Sequence, residues 1–80
     1  MKPSKIEDIY PLTIVCMKHG QFAIINAQSH FSLISSLEYD EEWQYNPRYY
    51  MRLYWEHINY GIGDTISEAF DDFKERFRNG

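Results

Sequence analysis

The sequence predicts an α+β fold: a small antiparallel sheet of about three strands with a C-terminal helix packed on one face. Three observations carry this. Leu12–Lys18 and Gln21–Ala27 are apolar runs rich in β-branched residues on either side of His19 and Gly20, the pattern of a β-hairpin. Ile66, Ala69, Phe70, Phe73 and Phe77 recur at helical spacing and make one apolar stripe. Eighty residues leave room for one core, so hairpin and helix must share it, and residues 1–80 read as a single compact domain.

At the N-terminus, Ser4 and Glu7 have the spacing of a capping box, which predicts one helical turn ending before Pro11. So short a turn holds only if Ile6, Ile9 or Tyr10 packs against the rest. In the hairpin, Leu12, Ile14, Cys16, Phe22 and Ile24 share one face by period-2 alternation. Thr13, Val15, Met17, Ala23 and Ile25 form the other face, which is also apolar and predicts a hairpin covered on both sides. Cys16 lies within LTIVCM and reads as a buried thiol; as the sole cysteine it has no internal disulfide partner.

Residues 28–47 are less regular. Phe31, Ile34 and Leu37 recur every three positions and Ser29 is placed to cap a short helix, while the serines at 32, 35 and 36 weaken it. Glu38 to Asn46 reads as a surface loop with Trp43 or Tyr45 tucked in. The next stretch, RYYMRLYWEHINYGIG, supports two conformations. As a strand over 49–58, Met51, Leu53 and Trp55 face one side while Tyr50, Arg52, Tyr54 and Glu56 face the other, and its aromatic density favours this. As a helix, Asn46 is the N-cap, Pro47 the first helical residue, and Tyr50, Leu53, Tyr54 and His57 a stripe. The strand is preferred, because Ile58, Tyr60 and Ile62 continue an extended alternation.

The C-terminal helix has the clearest signals. Thr65 and Glu68 form a capping box, acids gather early (Glu68, Asp71, Asp72) and bases late (Lys74, Arg76, Arg78), and Asn79-Gly80 is a stop.

Composition narrows the function. Twelve acids against eight bases give a net charge of −4, which argues against binding to phosphate backbones through clustered basic residues. It suits a basic protein partner, where opposite charge speeds encounter. No run approaches the ~20 apolar residues of a membrane span. The first residues lack the apolar core of a secretion signal, so the chain is expected to be cytoplasmic and away from membranes.

No catalytic arrangement stands out, and the expectation is a chain that is not an enzyme and holds no cofactor or metal. His19, His30, His57 and Cys16 form no pair at zinc-ligand spacing. The carboxylates at 38–42 would need a cleft to act as a glycosidase pair. Gly61-Ile62-Gly63 before a helix lacks the dinucleotide or P-loop spacing and reads as a flexible strand-to-helix turn.

Gly61–Phe73, GIGDTISEAFDDF, resembles the turn and helix of HicB-like antitoxin domains, where a glycine, Asp-Thr and Glu-Ala recur at this junction. The resemblance covers 13 of 80 residues and consists mostly of helix-capping chemistry. The long aromatic middle segment departs from that pattern, and these 80 residues are not expected to hold an added DNA-binding domain. The resemblance implies a small binding domain that restrains a partner, and transfers no residue role.

The strongest functional signal lies in Tyr39–Tyr60, which holds six tyrosines and two tryptophans beside an acidic run. Glu38, Asp40, Glu41 and Glu42 adjoin Trp43, Tyr45, Tyr49 and Tyr50, and together with Arg52 and Tyr54 they make the candidate partner-binding surface. Acids steer and aromatics anchor, the composition of a docking face. The expected function is a protein-binding module, an inhibitor or antitoxin-like regulator of a basic partner such as a nucleic-acid-binding protein, with a homodimer as a further option. The alternative is a single-stranded nucleic-acid binder that stacks bases on Tyr49, Tyr50, Tyr54 and Trp55 and holds phosphates with Arg48 and Arg52.

Overall fold

A computed structural model describes residues 2–78. After a single 3-10 turn at Ile6–Asp8 the order is β1 (Thr13–Cys16), β2 (Phe22–Ile25), α1 (Phe31–Tyr39), α2 (Glu41–Tyr45), α3 (Pro47–Trp55), β3 (Tyr60–Gly63) and α4 (Ile66–Arg76). The three strands form one antiparallel sheet in the order β1-β2-β3, so the α+β class holds.

The hairpin register matches the alternation. Thr13 pairs with Ile25, Ile14 with Ile24, Val15 with Ala23 and Cys16 with Phe22. The connection is three residues long rather than two. Met17 N–H donates to the Gln21 carbonyl at 2.7 Å, which leaves Lys18, His19 and Gly20 to turn the chain. Gly20 closes that turn at φ +86°, a left-handed conformation that favours glycine.

Both faces of the sheet are covered. On one, α4 lays Ala69 and Phe73 against Ile24 and Ile9, flanked by half-buried Phe22, Phe70 and Phe77. Thr65 caps α4 by accepting from Glu68 N–H at 3.0 Å, and the helix closes at Arg76. The predicted stop at Asn79-Gly80 lies outside the described residues. On the other face, Leu33, Leu37, Trp43 and Met51 from α1, α2 and α3 pack on Val15, Met17, Ala23, Ile25 and Ile62. The expected open face of tyrosine and arginine therefore does not exist.

The decisive correction concerns 47–58. Pro47–Trp55 is helical, with Asn46 as N-cap and Pro47 at the first position. The third strand is the short YGIG segment that follows. Met51 is the buried residue of α3, with Tyr50 and Trp55 half-buried beside it, whereas Leu53 stays exposed. Pairing the second side of β2 takes only the four residues of β3, so the remaining length is free to fold as a cover.

Three smaller expectations also change. The expected loop over 38–46 is helical instead: Glu38 and Tyr39 end α1, and Glu41–Tyr45 forms α2, capped by Asp40, whose carboxylate accepts from Glu42 N–H at 2.9 Å. Helix α1 starts after His30, not Ser29, and buries Leu33 and Leu37 at i and i+4 while Phe31 points outward. In the first turn Asp8, rather than Glu7, takes the capping role. Its carboxylate accepts from Lys5 N–H at 3.1 Å and from Ser4, and these bonds hold its pKa below the usual range.

Cys16 is exposed, not buried. Helix α4 lies over β3 and β2, so β1 carries its Leu12, Ile14 and Cys16 face beyond the helix's reach. Sequence alternation correctly assigned the face but not the extent of its roof.

Gly61 and Gly63 are more than a flexible turn. A Cβ at Gly61 would collide with the Ala69 carbonyl and the Phe73 backbone, and one at Gly63 with Ala69 N and Glu68. The glycines let α4 lie directly on the β3 backbone.

Candidate functional site

Helix α3 divides the residues singled out from the sequence between two surfaces. Tyr50 and Tyr54 (i, i+4) occupy the flank toward α2. Arg48, Arg52 and Glu56 (i, i+4, i+8) occupy the flank toward β3 and α4.

The first surface is an acidic and aromatic ridge on α2 and α3. Trp43 lies beneath it, only 6% exposed, and stacks on Tyr50 with ring centroids 5.5 Å apart and on Tyr54 at 6.2 Å. Tyr50 and Tyr54 are themselves near-parallel, 6.4 Å apart. Tyr49 meets Tyr50 edge-on at 5.0 Å. The Tyr50 hydroxyl donates to Glu42 at 3.0 Å, locking the aromatic group to the acids. That hydrogen bond, followed by desolvation and the Glu42 charge, raises the Tyr50 pKa above the ordinary phenol value. A raised phenol pKa keeps Tyr50 neutral and donating through the physiological range, and the link is lost as pH rises through that pKa.

Of the other ridge residues, Asp40 is spent on the α2 cap, and exposed Glu41 faces Lys18 at 3.9 Å. Tyr54 and Tyr45 are 61% and 76% exposed. Tyr45 lies 6.1 Å from His19 and is the outer end of the ridge. Glu38 is half-buried on α1 beside exposed Tyr39. Gln44, not foreseen, is the buried anchor of α2: it accepts from Lys18 N–H at 3.0 Å and donates to the Leu37 carbonyl. Trp55, named as a stacking platform, is half-buried against the core and meets His30 edge-on.

The second surface was missed. Arg48, Arg52, Arg76 and Arg78 line one cleft of about 490 Å³ with Glu56, Ile58, Asn59 and Tyr60. All four arginines of the chain meet there. Asp72 organises its wall: it accepts from Arg48 at 2.8 Å, from Ile62 N–H at 2.9 Å and from Arg76 Nε at 3.1 Å. Partial burial pushes the Asp72 pKa up, but the bonds from Arg48 and Ile62 and the Arg48 charge outweigh it and hold the carboxyl below its usual value. Arg52 and Arg48 were visible in the sequence, but the strand reading set Arg52 among the tyrosines. Helical i, i+4 spacing of Arg48, Arg52 and Glu56 was the signal for their common row.

A depressed carboxyl pKa adds stability that is present above the unfolded value, near ~3.9, and lost as pH falls through the folded one. Asp72→Asn is expected to lower stability at neutral pH by about 1–2 kcal/mol, since water reaching the pair screens it. It should also flatten the fall in Tm below about pH 4. Thermal melts on both proteins from about pH 3 to about pH 7, across the carboxylate range, check this; parallel curves would show that Asp72 is not the brace.

Among the described residues no group of three metal-ligating side chains comes together, and no helix is long and apolar enough to cross a membrane. The chain matches no protein-family model, no curated protein and no solved structure.

Proposed function

We propose that the chain is a non-catalytic protein-binding module of the cytoplasm whose acidic, tyrosine-rich ridge receives a basic partner, as a small inhibitor or antitoxin-like regulator would. The carrying observation is the Tyr50–Glu42 hydrogen bond over the Trp43 stack. It presents carboxylates and exposed rings as one pre-ordered surface, so little side-chain freedom is lost on docking. Glu41 and Glu42 supply the steering charge, with Tyr45, Tyr49 and Tyr54 as outward anchors. Arg52 leaves this surface for the arginine cleft, and Trp43 supports it from below.

The nucleic-acid alternative gains less. Its arginines and its rings occupy different flanks of α3, and the rings stack on one another.

Affinity capture from cell extract with the wild-type chain, Tyr54→Ala and Glu41→Gln/Glu42→Gln tests the proposal. The expected result is a basic protein whose capture weakens with salt and falls at least about tenfold with either variant. A partner indifferent to salt and to both variants would refute the ridge. A labelled single-stranded oligonucleotide is expected to show no salt-sensitive binding at micromolar protein.

A further inference from the structure

We propose that the arginine cleft between α3, β3 and the end of α4 is an anion site for the phosphate groups of a nucleotide-sized ligand. Three elements converge to build it. Arg48 and Arg52 come from α3, Arg76 from the last turn of α4, and Arg78 from the segment beyond. The walls are fixed. Arg48 and Arg76 share Asp72, and Arg76 lies over the Tyr60 ring at 5.8 Å. Asn59 pins the backbone of Arg78 through reciprocal bonds of 2.9 and 3.0 Å, and the Arg78 guanidinium reaches the Glu56 carbonyl.

Donor capacity is left over. Each guanidinium has five N–H groups, and among the described residues Arg52 makes no ion pair or hydrogen bond. Four guanidinium charges face two carboxylates, Glu56 and Asp72, which leaves a surplus of two positive charges in a chain of net charge −4. Arg48, Arg76 and Arg78 also brace the fold, whereas the Arg52 charge is used by no bond among the described residues.

Phosphate is the anion that matches. Its several oxygens and charge near −2 engage more than one planar guanidinium at once, where a carboxylate of an acidic peptide occupies a single fork. A long polyanion would also meet the acids of the adjoining ridge, whereas a compact phosphate fits within the cleft alone. The cleft is of the size that holds a small ligand, with Ile58 and Tyr60 as an apolar floor.

Isothermal titration with inorganic tripolyphosphate, ATP, a glutamate oligomer of equal charge and a single-stranded oligonucleotide decides the matter. The variants are Arg52→Gln, Arg52→Gln/Arg78→Gln and, as a control outside the cleft, Lys74→Gln. Among the described residues the Arg52 side chain has no bond to lose, so its single variant is expected to stay folded. Tripolyphosphate or ATP should bind the wild type and Lys74→Gln alike, about tenfold more weakly to Arg52→Gln and more weakly still to the double variant. No binding, binding unchanged in Arg52→Gln, equal binding of the glutamate oligomer, or an oligonucleotide bound tenfold more tightly than tripolyphosphate would each overturn it.

Discussion

Gly61→Ala is expected to lower the melting temperature by more than about 12 °C, the consequence of losing about 3 kcal/mol in a domain of this size. The added methyl would meet the Ala69 carbonyl oxygen and the Phe73 backbone. Both are main-chain atoms, so no rotamer change gives way. Helix α4 must lift from β3, and with it Ala69 and Phe73, both fully buried against Ile24. Gly20→Ala is the informative contrast. Nothing lies within 4 Å of a Cβ there, and only the φ of +86° resists substitution. Its cost should be about 1 kcal/mol. A Gly61→Ala protein melting within about 2 °C of wild type would mean that α4 does not rest on the strand backbone.

Trp43→Ala is expected to cost about 3–5 kcal/mol, because it removes a large buried side chain and the support of two tyrosine rings. The same residue stood among the candidate contacts, and its burial changes what its mutation reports. Trp43→Ala should abolish capture of a partner by unfolding the ridge. Trp43→Phe should keep both the fold and the capture, since little of the side chain reaches the surface. Circular dichroism melts alongside capture separate the two. A folded Trp43→Phe protein that no longer binds would put Trp43 in the interface after all.

How much of this was legible depends on where local pattern and tertiary demand agree. The hairpin faces and the α4 stripe were readable because each side chain's partner follows from period 2 or period 3.6 within one element. Helix α3 was not, because its apolar residues Met51, Leu53 and Trp55 alternate as a strand would. Only Met51 is fully buried, Trp55 is half-buried, and Leu53 is left in solvent. Pro47 at the first helical position was the better evidence, since its fixed φ acts on the backbone itself, while Asn46 holds the N-cap position without a side-chain bond. Helix α2 has five residues, too few for any period to show, and is held by Asp40 and Gln44 instead. The acidic and aromatic ridge could be guessed from adjacency in sequence. The arginine cleft could not, because its residues come from positions 48 to 78 and meet only when α3 and α4 flank β3.

Helix α3 carries two unlike flanks, tyrosine toward the acids and arginine toward the cleft. A ¹H–¹⁵N correlation spectrum that includes arginine Nε–H signals, recorded with a lysine oligomer and separately with tripolyphosphate, addresses this directly. The lysine oligomer should move amides of Asp40–Tyr45 and Tyr49–Tyr54, while tripolyphosphate should move the Nε–H signals of Arg48, Arg52, Arg76 and Arg78. Perturbation of the same set by both probes, or lysine-oligomer shifts confined to the arginine cleft, would contradict it.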